Sequence, residues 1–225
     1  MRIIFLGTPD FALPTLVRLH ADGHNIAAVY TQPDRPAGRS GQPAASPVKR
    51  WAVAHGLEVR QPRTLRREPA QAELAALQPQ ALVLVAYGLL LPQAVLDAAP
   101  LGGLNLHPSL LPKHRGPAPV VGALLAGDTE TAATIMLMDA GMDTGPVLAQ
   151  QRVDIGPDET AGELNDRLSH LGADLMAATL PRWAAGEITP QPQDDSQATY
   201  TRLMTKDDGV LNWADRKSTR LNSSH

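Results

Sequence analysis

The feature that most limits this chain is a rhythm: short apolar runs alternate with amphipathic stretches from the first residues onward. Residues 2–6 are apolar and β-branched, which predicts a buried first strand. Gly7-Thr8-Pro9-Asp10 predicts a turn into a helix, with Pro9 near its first position. Leu13, Leu16, Val17 and Leu19 would form the apolar face of that helix and Gly23 its end. Residues 25–30 predict a second strand. A helix rich in Ala, Glu and Leu around residues 69–77 leads to another apolar run at 81–85, and residues 104–107 and 134–138 predict further strands. Strand, helix, strand in this order implies an α/β fold, a mostly parallel twisted sheet with helices on both faces, Rossmann-like in outline. Ligands in such sheets bind beyond the carboxyl ends of the strands. Asn105 and His107 end one apolar run, and Tyr87-Gly88 follow another.

Composition removes several classes. The 225 residues contain no cysteine, which excludes a disulfide scaffold, a Cys-ligated metal and a Cys nucleophile. No run of 18 or more apolar residues predicts a membrane helix. The opening apolar stretch is too short for a secretory signal, with Asp10 close behind it. These features predict a cytoplasmic protein without membrane attachment. The net charge of −3 is no general invitation to nucleic acid, yet charge is uneven. Residues 31–67 hold Arg35, Arg39, Lys49, Arg50, Arg60, Arg63, Arg66 and Arg67 against Asp34 and Glu58. Such a surplus suits a phosphate-rich partner, and it equally suits a solvated face.

Two segments depart from the rhythm. Residues 31–47 carry Pro33, Pro36, Gly38, Gly41, Pro43 and Pro47, which excludes a helix or a central strand. A loop of that length in a compact domain is functional or disordered. Residues 160–185 predict a long helix with Leu164, Leu168, Leu171, Leu175 and Thr179 on one stripe, closed by Trp183 and capped by Gly186.

Three polar residues could carry chemistry. Asn105 and His107 are two apart on a strand and so share a face. Asp143 stands in the turn Asp139-Ala140-Gly141-Met142-Asp143-Thr144-Gly145, where glycines let backbone approach a ligand. Acyl transfer to an amine needs donors for the oxyanion and a route for the proton. An Asn amide and a protonated imidazole supply donors, and a carboxylate beside the imidazole favours its charged form. Each residue alone is also a common structural group, and no Gly-x-Ser-x-Gly nucleophile motif is present.

The string Asn105-Leu106-His107-Pro108-Ser109-Leu110-Leu111-Pro112-Lys113-His114-Arg115-Gly116-Pro117-Ala118-Pro119, with Asp143-Thr144-Gly145 after it, resembles the core motif of the folate-dependent formyltransferases. The resemblance implies that Asn105, His107 and Asp143 form the catalytic set and that Ser109, Leu110, Leu111 and Pro112 lie on the folate. Residues 85–92, with Tyr87 and Gly88, resemble the pterin-pocket wall. It further implies 10-formyltetrahydrofolate as formyl donor, no metal, and a monomer.

Within that family, Gly7-Thr8-Pro9-Asp10-Phe11-Ala12 and the loop from Thr31 to Arg39 resemble the members that formylate the amine of initiator methionyl-tRNA. By that likeness Arg35 and Arg39 are the tRNA contacts. The loop departs from the pattern after Arg39, where Ser40, Gly41, Gln42 and Pro43 replace further lysines. The resemblance covers about residues 2–213. It implies a catalytic domain at residues 1–205, a linker or domain start at 206–215, and no C-terminal β-barrel. Residues 216–225 match nothing in the family and read as a non-native tail. The alternatives are a formyltransferase for a small amine, or a non-catalytic nucleotide-binding module. Against the latter, residues 7–12 lack the later glycines of a dinucleotide fingerprint.

Overall fold

The structure, a computed structural model, describes residues 1–36 and 43–210. Arg39 and the expected tail at 216–225 lie outside the described residues. The central sheet is built from β1 (Arg2–Gly7), β2 (Asn25–Tyr30), β3 (Val59–Arg60), β4 (Ala81–Val85), β5 (Gly103–His107), β6 (Glu130–Leu137) and β7 (Val147–Asp154). Their order across the sheet is β3-β2-β1-β4-β5-β6-β7. The first five are parallel, and β6 and β7 add an antiparallel hairpin beside β5. The expected mostly parallel sheet is therefore present, and no β-barrel follows it among the described residues.

Alternation along the strands assigns the two faces. Ile3 and Phe5 of β1, Val83 of β4, and Leu104 and Leu106 of β5 pack on one side. There they meet α1 (Leu13–Ala21), α2 (Pro47–Ala54), α5 (Pro119–Leu125) and α6 (Ala161–Ala184) through Leu16, Leu19, Val48, Val120, Leu164, Leu168 and Met176. Ile4, Leu6, Leu82 and Leu84 point the other way, against α3 (Glu68–Ala75) and α4 (Gln93–Leu96) through Leu74, Val95 and Leu96. Full burial of each such leucine contributes roughly 1.5–3 kcal/mol.

The long helix α6 begins where the sequence predicts. Thr160 caps it, accepting from the Glu163 amide, while the Glu163 carboxylate accepts from Thr160 in return. Gly186, at φ 71°, turns the chain away at its far end. Gly172 lets α6 lie directly on Leu106: a β-carbon there would sit 2.4 Å from a Leu106 methyl. Helix α1 starts later than Pro9 suggests, because residues Asp10–Ala12 form a 3-10 turn first. Val17 is 38% exposed rather than on the apolar face, which Ala12, Leu16 and Leu19 supply at i, i+4 and i+7.

Candidate active site

β5 delivers Asn105 and His107 to one face of the sheet at its carboxyl end, opposite the face that Leu104 and Leu106 bury under α6. Asn105 lies between Leu84 of β4 and Met136 of β6 in the hydrogen-bonded register and is the partly exposed position of β5. His107 is buried, 4% exposed. Its Nε2 donates to the backbone carbonyl of His114 at 3.0 Å, since a carbonyl can only accept. The neutral ring therefore carries its hydrogen on Nε2. Bare Nδ1 faces the Asp143 carboxylate at 3.7 Å, longer than a direct hydrogen bond.

The electrostatics follow from that placement. Burial is the largest influence on His107 and lowers its pKa below the ordinary histidine value. The Asp143 charge and the His114 carbonyl oppose this without overcoming it. Burial thus favours the neutral ring, where the sequence reading expects a protonated imidazole stabilised by its carboxylate neighbour. The tautomer is held by His114, not by a direct bond to Asp143.

Asp143 is held in turn. Its backbone takes the left-handed region, φ 55°, which aspartate tolerates better than most residues. Its carboxylate accepts from the Gly116 amide at 2.7 Å. The loop between His107 and Gly116 is closed by one of its own side chains and by residues beyond it. Ser109 Oγ donates to the Lys113 carbonyl at 2.6 Å, and Thr134 Oγ1 donates to the Ser109 carbonyl at 2.7 Å. His114 has φ 59° and pairs through Nε2 with Asp128 at 2.7 Å.

The expected site residues divide accordingly. Asn105, His107 and Asp143 come together. Ser109 is fully buried with its hydroxyl spent inside the loop, and Leu111 is buried, whereas Leu110 and Pro112 keep exposed surface. The Tyr87 side chain is also buried, packed with Tyr30, and burial pushes its hydroxyl pKa upward. The Tyr87 carbonyl is engaged within the fold, accepting from Thr8 Oγ1 and Gln32 Nε2. Exposed Ala86, Gly88 and Leu90 border the end of β4.

Arg35 is exposed in a two-residue pairing of Arg35–Pro36 with Pro43–Ala44. The base of that loop is anchored by Gln61, which donates to Asp34 Oδ1 at 2.9 Å, and by Lys49, which donates to Asp34 Oδ2 at 2.6 Å. These hydrogen bonds hold the Asp34 carboxyl below the usual carboxylate range.

Sequence reasoning missed two contributors: the His114 carbonyl, and Gln193, whose amide donates to the carbonyls of Asp143 and Gly145 at 2.8 and 2.7 Å. Among the described residues, no cluster of three or more histidine, aspartate or glutamate side chains could hold a metal ion. No helix there is long and apolar enough to cross a membrane. A cleft of about 700 Å³ between α1 and α6 shares no residue with the Asn105, His107 and Asp143 set and lies on the other face of the sheet.

Known proteins resemble the chain on three levels. A family model described as Formyl transferase matches residues 1–180. The methionyl-tRNA formyltransferase of Chloroflexus aurantiacus is 55% identical over 214 residues, 95% of this chain and 69% of that protein. Two solved structures share the fold. WlaRD, a sugar 3N-formyl transferase determined in the presence of dTDP and 5-N-formyl-THF, has a TM-score of 0.68 at 16% identity, over 94% of this chain and 72% of its own. The methionyl-tRNA formyltransferase from Clostridium thermocellum has a TM-score of 0.65 at 16% identity, over 99% and 81%.

Proposed function

The chain belongs to the formyl transferase family, among its methionyl-tRNA formyltransferases, and from that premise we propose that it moves a formyl group from 10-formyltetrahydrofolate to the amine of initiator methionyl-tRNA through Asn105, His107 and Asp143. The observation that carries the assignment of residues is the Nδ1 edge of His107. It is the ring's one nitrogen not engaged by backbone, it faces a carboxylate, and it lies on the same strand face as a partly exposed amide.

Each residue then has a role. Asn105 donates to the formyl oxygen as it becomes an oxyanion. His107, neutral at rest, takes on Nδ1 the proton released by the attacking amine. Asp143 lowers the cost of the imidazolium so formed. When the bond between the formyl carbon and the folate nitrogen breaks, His107 returns that proton to the departing nitrogen, and the balance closes without a metal.

Exposed Ala86, Gly88 and Leu90, with partly exposed Leu110 and Pro112, offer apolar surface at the strand ends that carry Asn105, which suits a flat ring. Buried Ser109, Leu111 and Tyr87 shape that surface from beneath. Arg35 and Arg39 meet the tRNA, where phosphate contacts position it. The catalytic unit extends to about residue 205, because Thr199 and Thr201 are bonded to Arg115. Residues 206–215 begin a linker or a C-terminal domain, and 216–225 are foreign to the domain. The protein works as a monomer in the cytoplasm.

The test mixes the chain with 10-formyltetrahydrofolate and methionyl-tRNA at several salt concentrations. Formyl-methionyl-tRNA, with affinity for the acceptor falling steeply as salt rises, is the expected result. Transfer to a small amine alone, with a shallow salt dependence, would overturn the acceptor.

A further inference from the structure

The segment after α6 returns to the active site as a strap. Arg115, 1% exposed, is its anchor. The Arg115 amide donates to the Thr199 carbonyl at 2.9 Å and its own carbonyl accepts from the Thr201 amide at 2.7 Å. Its guanidinium donates to Gln193 Oε1 at 2.9 and 3.1 Å, to Asp195 at 2.7 Å and to the Tyr200 hydroxyl at 3.2 Å. Gln193 is thereby fixed in one amide orientation. Its oxygen faces the cation, and its nitrogen donates to the carbonyls of Asp143 and Gly145.

Asp143 needs such holding. It is a non-glycine residue at φ 55°, a conformation that persists where the surroundings over-determine it. Gly116, next to Arg115 in the chain, holds its carboxylate, and Gln193, on the Arg115 side chain, holds its backbone. Both grips on Asp143 therefore trace to one buried arginine.

We propose that Gln193, oriented by Arg115, is a positioning residue for formyl transfer that sets the Asp143 carboxylate against Nδ1 of His107. The inference rests on Asp143 and His107 being the reacting pair. The effect of Gln193 on the rate passes through Asp143, whose carbonyl its amide holds. Misplacing a reacting group by about an ångström costs roughly a hundredfold in rate, so a relaxed Asp143 should cost at least tenfold.

The test is Gln193→Met in the 225-residue chain, which keeps side-chain length and removes both ends of the hydrogen-bond relay. Three quantities are read: kcat and KM for formyl transfer, the ring ¹⁵N shifts of His107 against pH, and the melting temperature. The expected result is a fall in kcat of roughly ten- to hundredfold with the KM for folate within about twofold. The His107 titration should move to lower pH as the Asp143 charge loosens. Asp195→Asn, which weakens the hold on Arg115 from the solvent side, should give a smaller change of the same sign. A melting temperature that falls while kcat and the His107 shifts stay as in the unaltered chain would overturn the proposal. If the unaltered chain transfers no formyl group, the proposed function fails instead, and the His107 titration still decides whether Gln193 governs the pair.

Discussion

Nε2 of His107 donates to the backbone carbonyl of His114 at 3.0 Å, and this one bond fixes which nitrogen of the ring can exchange a proton. Nδ1 is left facing Asp143, and in the proposed transfer it is the nitrogen that takes up and returns the proton.

That arrangement sets a pH dependence. An unfolded histidine titrates near 6.5, and burial lowers His107 in the folded protein. Between the two values the unfolded chain binds more protons, so stability rises with pH through that window and is flat above it. The contribution is lost as pH falls below the unfolded value. His107→Gln should flatten this part of the profile in urea melts between pH 4.5 and 7.5.

Asn105 stands beside His107 as the expected oxyanion donor. Asn105→Ala should lower kcat by about 10²–10³ while folate affinity changes little, since the bond strengthens in the transition state. Steady-state rates set against equilibrium folate binding check this. An equal loss in both would place Asn105 in ground-state binding.

Arg115 and Asp195 form an ion pair of unequal partners, 1% and 80% exposed. Arg115→Met should cost about 2–4 kcal/mol, since it strips the strap of several charge-assisted hydrogen bonds. Asp195→Asn should cost under about 1 kcal/mol, because its charge is well solvated. Urea denaturation of both variants measures the contrast.

Gly172 of α6 supports the catalytic strand from behind through Leu106. Gly172→Ala forces the Leu106 side chain, between Asn105 and His107, to move in a packed core. A loss of roughly 1–3 kcal/mol is expected from overpacking, together with a lower kcat. Thermal melts and formyl-transfer rates on the same variant check both parts.

The strands that the alternation marks, residues 81–85 above all, form where expected, because buried parallel strands are apolar on both faces. β7 escaped notice for the opposite reason: as an edge strand it carries Gln150, Gln151 and Arg152 and shows no apolar run. α5 begins at the last residue of the motif, Pro119, and the proline-rich run before it gives no apolar period to mark the start. At the site, Asn105, His107 and Asp143 were legible as side-chain chemistry in a recognisable string. Tyr87 and Ser109 were legible as positions, but which way a side chain points depends on packing against Tyr30 and Lys113 that spacing does not encode. Gln193 leaves no trace, because its role lies in long-range contacts to Arg115, Asp143 and Gly145 from a stretch without period.

The strap also places the site in the order of folding. Arg115 meets Asp195 across 80 residues of chain, and Gln193 meets Asp143 across 50. All seven strands of the sheet end by Asp154, so the ribosome makes every one of them before it makes the strap. During synthesis the whole sheet can therefore assemble with Asp143 still unfastened. The Asp143 loop gains its bonds from Gln193 only when that polar segment returns to it, so a ribosome must release residues 193–201 before the loop can be fastened.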